Sequence, residues 1–421
     1  MTVHVPVSFD NTENAFEYKD DKELRKSRFL FLFMDCTLPV RLVTIFIPWA
    51  IKSGFPVKGI IRNTIFEQFV GGETLEETAP VVKKLAACNV KVILDYGVEG
   101  GAEDAAAFDH AMEAFIRVID FASTQPDIPF ISIKVTGFAR LELLEKLDSS
   151  VADGRGPLMK RYAHAVEALS ETEQKEWERV QQRMEKICVA ASVKNVGVLV
   201  DAEETWIQDP IDVLTIQMME KFNKRRPVVY NTVQLYRSDR LCFLKDLLEA
   251  ALLKNFILGV KLVRGAYMEK ERKRAVEMNY PSPIQADKES TDKDYNAGIA
   301  FCMDHADRVA LIVASHNEYS NLLATQLLQE KNLQPDHPHI HFSQLYGMGD
   351  NITFNLAKAG YAVSKYLPFG PIEDVIPYLM RRAQENSSVA GQTGRELSLI
   401  RKELERRKKD RDSPFIFNKP D

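Results

Sequence analysis

From Tyr366 to Asn386 the chain reads YLPFGPIEDVIPYLMRRAQEN. The stretch opens on the end of an apolar run containing Ala362, Val363 and Leu367, which Pro368 and Gly370 break. That is a strand running into a loop. Pro371 follows, then Glu373 and Asp374, acids suited to the first turn of a helix, where the dipole is positive. Pro377 falls early enough to be tolerated near a helix start. Tyr378, Arg381 and Arg382 come next, spaced so that all three share one helical face. A guanidinium fork matches a carboxylate or phosphate, but an Arg-Arg pair is also what a solvated helix face carries.

Working outward, seven more runs of the same kind precede this one. They are Val90–Tyr96 (VKVILDY), Phe130–Phe138 (FISIKVTGF), Val196–Ala202 (VGVLVDA) and Val228–Tyr236 (VVYNTVQLY). Then come Ile257–Arg264 (ILGVKLVR), Val309–Ser315 (VALIVAS) and His339–Tyr346 (HIHFSQLY), with Ala362–Leu367 (AVSKYL) as the eighth. Each is rich in β-branched or apolar residues and is followed by material long enough for a helix. Near-continuous apolar strands suit a parallel sheet buried on both faces. Eight such units predict an α/β fold, a (β/α)8 TIM-like barrel. Residues 154–174 read as a helical insertion between the second and third runs. Residues up to about Cys88 read as mostly helical, and Arg395–Asp412 as a charged helix. The expected division is therefore an N-terminal helical segment over 1–88, a barrel over 89–392 and a charged helix and tail over 393–421.

The composition is that of a globular chain with ample core: 421 residues, 45% hydrophobic and 27% charged. A net charge of −5 argues against a nucleic-acid surface. Cys36, Cys88, Cys188, Cys242 and Cys302 are dispersed without metal spacing and read as reduced thiols. The first residues carry neither an Arg-rich mitochondrial leader nor a signal segment. The cleanest apolar stretch, Leu42–Ile51, is far shorter than the ~20 residues a membrane span needs. It reads as a core helix, with surface docking as the sharper alternative. The expected compartment is the cytoplasm, with the inner face of a respiratory membrane as the alternative site of attachment.

In a barrel the chemistry gathers at the C-terminal ends of the strands. This chain places polar residues there repeatedly: Asp95 and Tyr96, Lys134, Asp201 with Glu203 and Glu204, Gln234 and Tyr236, Lys261 and Arg264. Ser315, His316 and Asn317, Gln344, Lys365 and Tyr366 continue the series. A lone strand lysine is usually paired or snorkelling, and a lone histidine is usually structural. Repetition at nearly every strand end points instead to a site. Lys134, Lys261, Arg264, Arg381 and Arg382 outnumber the acids, so the cleft suits anions. No metal is expected, because no His/Cys pair has ligand spacing. The glycines of Val98–Ala102 (VEGGA) and Gly347–Asp350 (GMGD) lack the full dinucleotide fingerprint. On these residues alone three readings stand: an enzyme binding an anionic substrate, a barrel kept only for binding, and a Schiff-base aldolase using Lys134 or Lys261.

Five segments carry a resemblance. Asp201–Glu204 (DAEE), Lys261–Tyr267 (KLVRGAY), Ala314–Glu318 (ASHNE), Gln344–Met348 (QLYGM) and Tyr378–Asn386 (YLMRRAQEN) resemble, in order, the proline dehydrogenase family of flavin-dependent barrels. Leu94–Glu99 (LDYGVE) and Lys261 resemble its eukaryotic-type branch; many bacterial members have Arg where Lys261 stands and Trp where Met268 stands. The resemblance implies FAD as cofactor, L-proline as substrate, Δ1-pyrroline-5-carboxylate as product and a quinone as electron acceptor, at the start of proline catabolism. It implies that Lys134, Arg381 and Arg382 hold the substrate carboxylate while Leu345, Tyr366 and Tyr378 line its ring. Asp201 is implied as the active-site acid, orienting Lys134 or a neighbouring cation, and Lys261 as the cation beside flavin N5. Gln234, Arg264, Gly265, Ala266, Tyr267, Ser315 and His316 are implied as the flavin cradle, and Glu99 as a gate. The next enzyme, a pyrroline-5-carboxylate dehydrogenase, is then expected to be a separate protein.

Overall fold

A computed structural model describes residues 7–34, 58–97, 104–388 and 392–412. Leu42–Ile51, Cys36 and Glu99 lie outside them. Eight parallel strands close in chain order into a barrel, with β8 hydrogen-bonded back to β1. The strands are β1 (Lys91–Tyr96), β2 (Phe130–Ile133), β3 (Gly197–Val200), β4 (Val229–Gln234), β5 (Leu258–Val263), β6 (Val309–Ala314), β7 (Ile340–Leu345) and β8 (Val363–Phe369). All eight lie within or across the apolar runs. The second run is the exception in extent: after Ile133 it leaves the sheet through Lys134 into a single 3-10 turn over Val135–Gly137.

The two faces of each strand serve different cores. Leu258, Val260 and Leu262 of β5 point outward into the main core shared with the surrounding helices. Ile93, Leu199, Tyr230, Ala310 and Ile312 form a separate cluster with Phe130 and Tyr366 packed against it, filling the barrel interior. Side chains alternate along a strand, so two residues beyond Ile93 and Leu199 the inward-facing positions are Asp95 and Asp201. The interior thus turns from apolar to charged toward the C-terminal ends.

Several helix-to-strand turns use asparagine. Asn89, Asn195, Asn255 and Asn332 have φ of 58°, 60°, 51° and 53°. Asparagine tolerates this left-handed conformation, which ends a helix and frees the chain to enter the next strand. The insertion between β2 and β3 contains a helix over Leu158–Glu167, inside the stretch read as helical.

The terminal helices build a second core outside the barrel. Phe16, Leu24, Phe31 and Phe69 pack there with Leu397 and Ile400 of the helix Gln392–Asp412, and with Ile372, Val375 and Leu379 of the helix Ile372–Ser388. Pro377 lies inside that last helix, more than a turn beyond its first residue, so one main-chain hydrogen bond is missing there. Burial of one face on the terminal helices offsets that loss and fixes the helix that carries Tyr378, Arg381 and Arg382. Among the described residues no helix is long and apolar enough to cross a membrane.

Candidate active site

Asp201 is the centre of the charged layer. It is only 9% exposed, and its two oxygens accept four side-chain donors. Oδ1 accepts from Ser132 Oγ at 2.6 Å and from Lys261 Nζ. Oδ2 accepts from Lys134 Nζ at 2.9 Å and from Tyr366 Oη at 2.7 Å. Burial opposes a charge here, but the two ammonium groups and the hydrogen bonds outweigh it and hold the carboxyl well below the usual range. Lys134 also lies 3.9 Å from Asp95, and Lys261 sits 5.4 Å from the centroid of the Tyr366 ring. Residues from β2, β3, β5 and β8 are thereby locked into one cluster.

The helix after β8 closes over this cluster. The Arg381 guanidinium lies 6.0 Å from the centroid of the Tyr267 ring, spanning the barrel mouth from that helix to the loop after β5. Arg382, buried, lies 5.0 Å from the ring of Tyr378 on its own helix. Burial pushes the Tyr366 and Tyr267 phenols well above their ordinary range, so both stay neutral donors.

The remaining expected residues form two groups beside the cluster. Arg264 gives Nε to Asp292 at 2.7 Å, Nη1 to Ser315 Oγ at 2.7 Å and Nη2 to Ser320 Oγ at 3.0 Å. Gly265 and Ala266 follow it and are exposed. Gly265 has φ +142°, and a Cβ there would lie 2.4 Å from the Tyr236 ring, so only glycine fits. His316 Nε2 accepts from the backbone N of Leu345 at 3.1 Å, which places the ring proton on Nδ1. Burial, then Lys365 and Arg382, push its pKa down to about 3, so the ring is neutral. Its Nδ1 is buried without a hydrogen-bond partner among the described residues. Gln234 Nε2 donates to the backbone carbonyl of Glu203 at 2.8 Å.

Not every polar strand end belongs to the cleft. Lys365 is fully buried, but it faces away from the interior and pairs with Asp350 at 2.9 Å. Gln344 likewise turns outward, donating to the Ser315 carbonyl and accepting from Thr353 Oγ1. Asn317 caps the helix Glu318–Glu330. The GMGD segment is a structural junction. Gly347 and Gly349 have positive φ, and a Cβ on either would strike Gln68 O at 2.0 Å or His316 Nδ1 at 2.6 Å. Asp350 takes Lys365, Tyr18 and Lys19 together, tying the N-terminal helices to the loop after β7.

Two cleft residues were not singled out as site residues from sequence. Ser132 looks like any small polar residue in a strand; only its spacing of two from Lys134 signals a shared inward face. Glu203 lies within the DAEE segment but carried no role. It is 4% exposed and accepts from Thr136 Oγ1 at 2.9 Å and Tyr267 Oη at 3.1 Å.

A model of the proline dehydrogenase family matches residues 79–395. The chain is 33% identical over 381 residues to proline dehydrogenase 1, mitochondrial, of Dictyostelium discoideum, an alignment covering 84% of this chain and 66% of that protein. It is 34% identical over 365 residues to a hydroxyproline dehydrogenase of Xenopus laevis, covering 82% and 78%. Among solved structures, proline utilization A (PutA) of Bdellovibrio bacteriovorus inactivated by N-propargylglycine has the same fold, with a TM-score of 0.68 at 18% identity. That match covers 92% of this chain but 40% of the PutA chain. With a cationic cluster at the strand ends of a closed barrel and a family match from before β1 to the helix after β8, the chain belongs to the proline dehydrogenase family of enzymes.

Proposed function

We propose that the protein oxidises L-proline to Δ1-pyrroline-5-carboxylate with FAD, the first step of proline catabolism, and passes the electrons to a quinone. The observation that carries this reading is the Asp201 cluster. One carboxylate orients Lys134 and Lys261, and the helix after β8 sets Arg381 by Tyr267 and Arg382 by Tyr378, gathering cationic groups at the strand ends.

Lys134, Arg381 and Arg382 bind the substrate carboxylate, and Leu345, Tyr366 and Tyr378 wall its ring. Anchoring the anionic end fixes the ring in one orientation, which is where positioning contributes most to rate. Asp201 stays ionised, so it holds Lys134 by charge and does not take up a proton. Lys261 supplies a fixed positive charge where negative charge develops. The residues present fit a flavin dinucleotide. Gly265 and Ala266 are exposed beside the Arg264 guanidinium, a glycine at 265 is required by the Tyr236 ring, and Tyr267 follows them in the same loop. Gln234, Arg264, Tyr267, Ser315 and His316 would hold the group. When bound, FAD would supply the two-electron, hydride-accepting chemistry that oxidation of the substrate's ring C–N bond to C=N requires. Glu99 would gate the site; it lies outside the described residues.

A second reading, oxidation of 4-hydroxyproline, is supported by the 34% identity to the Xenopus enzyme. Tyr366 favours proline, because its ring is held by Asp201 and forms a fixed wall. The test is anaerobic addition of excess L-proline to the purified holoenzyme. Bleaching of the flavin, with a product that condenses with o-aminobenzaldehyde, is expected; a flavin that stays oxidised would overturn the assignment.

A further inference from the structure

Glu203 is a buried carboxyl inside a cleft built to attract carboxylates, and the mechanism above does not use it. Its place is firmly held. The backbone N donates to Gln208 Oε1 at 2.7 Å, the backbone carbonyl accepts from Gln234, and both side-chain oxygens take a hydroxyl, from Thr136 and Tyr267. Lys134 stands at the end of β2, and Asp201 and Glu204 share its own loop after β3. Tyr267 comes from the loop after β5, with Arg381 above it from the helix Ile372–Ser388. Glu204 is paired with Lys270, and Glu271 is taken up by the N and Oγ1 of Thr205. Lys134, the cation that lowers the Glu203 pKa most, already serves Asp201.

We propose that Glu203 is a further specificity-determining residue of the substrate site: its carboxyl, buried beside Lys134 and beneath Tyr267, sets how much positive charge the cleft offers, so that binding a substrate carboxylate is linked to protonation of Glu203. The inference rests on the reading that Lys134, Arg381 and Arg382 bind that carboxylate. Lys134 and Lys261 pair with the ionised Asp201, Lys134 also lies near Asp95, and Arg381 stands by Tyr267; Glu203 decides whether a third negative charge joins the two aspartates. Burial raises its pKa, Lys134 lowers it and Glu204 raises it, with a result of about 7. The sign follows. Below that pH Glu203 is neutral and the cleft binds an anion at full strength. Above it, the charge on Glu203 repels the anion and competes for Lys134. Reciprocally, a bound anion raises the pKa of Glu203 further, so binding near neutrality takes up protons.

The experiment is calorimetry of the holoenzyme with cyclopentanecarboxylate, which has the ring and the carboxylate but no amine to titrate. Affinity for the parent should weaken on the order of ten-fold between about pH 6 and about pH 9, a typical coupling between neighbouring sites. Over that interval the binding heat should vary with the ionisation heat of the buffer, reporting proton uptake. Glu203→Gln should bind across the range as the parent does at low pH, without uptake. Tyr267→Phe, which removes one donor to the ionised carboxyl, should move the midpoint upward. A parent that binds the carboxylate with no proton uptake, or a Glu203→Gln variant that keeps the parent's pH dependence, overturns the proposal. A parent that binds no carboxylate at any pH overturns the substrate-anchor reading, and this inference with it.

Discussion

Tyr366 is the position where structure and substrate choice meet most directly, and two substitutions separate what its hydroxyl does from what its ring does. The hydroxyl donates to Asp201 Oδ2 at 2.7 Å, one of four donors on that carboxylate. A hydrogen bond to a charged group contributes ~1.5–3 kcal/mol. In Tyr366→Phe both ammonium groups and Ser132 remain on Asp201, so the low end applies, ~1.5 kcal/mol, or roughly ten-fold in kcat/KM for L-proline. The ring stays, so the preference for L-proline over trans-4-hydroxy-L-proline should not change. Tyr366→Ser removes the wall itself. Proline turnover should fall further as the ring loosens in its pocket. The ratio of the two kcat/KM values should narrow toward the ~100-fold or less with which an apolar pocket rejects an added hydroxyl. The assay is steady-state kinetics on both amino acids with the parent and both variants, with flavin content checked by absorbance. Equal use of the two substrates by the parent, or a ratio left unchanged in Tyr366→Ser, would refute the idea that this ring gates the pocket.

Two further outcomes follow from the same geometry. Arg381→Met and Arg382→Met should each keep the flavin but lose ~2–5 kcal/mol in kcat/KM for L-proline, the cost of truncating one partner of a buried charged contact; near-parent kinetics in either would remove that residue from the carboxylate anchor. Glu396 is buried, its Oε1 accepts the Gly349 N–H at 2.6 Å, and burial, then the nearby Asp350, raises its pKa from 4.5 to about 7. A raised carboxyl pKa stabilises the fold fully below about pH 4.5, and that contribution is lost as pH rises through about 7. Glu396→Gln should therefore match the parent in urea unfolding near pH 4 and exceed it by up to about 3 kcal/mol above pH 7; an advantage that did not grow with pH would show that Glu396 is not held as a buried acid.

Much of the site was legible because residue type and position carried it. Lys134, Asp201, Lys261 and Tyr366 each stood out as polar groups at strand ends, and the structure joins all four in one hydrogen-bonded cluster. The same rule misplaced Lys365 and Gln344. A strand end has two faces, and a shift of one residue reverses the face; Tyr366 points inward while Lys365 beside it points out to Asp350. Ser132 gave no signal, and Glu203, read as a polar strand end, was given no role, for the opposite reason. Neither residue type is unusual in its local stretch, and what makes each matter is a neighbour far away in the chain: Asp201 lies 69 residues from Ser132 and Tyr267 lies 64 from Glu203.

By itself the sequence pointed to the architecture, because eight apolar strand-length runs, each followed by a helix-length segment, bury both faces of a parallel sheet under helices, and eight such units match a closed barrel. It also determined which elements carry cations, since charge at a strand end is a local property. Only the tertiary structure decided the pairings. Asp201 serves Lys134 and Lys261 together, Arg381 reaches across the mouth to Tyr267, and the chain's two terminal helices pack on each other and brace the helix that holds both arginines. Those contacts join residues far apart in the chain, and their strength depends on burial and distance, which exist only once the barrel has closed.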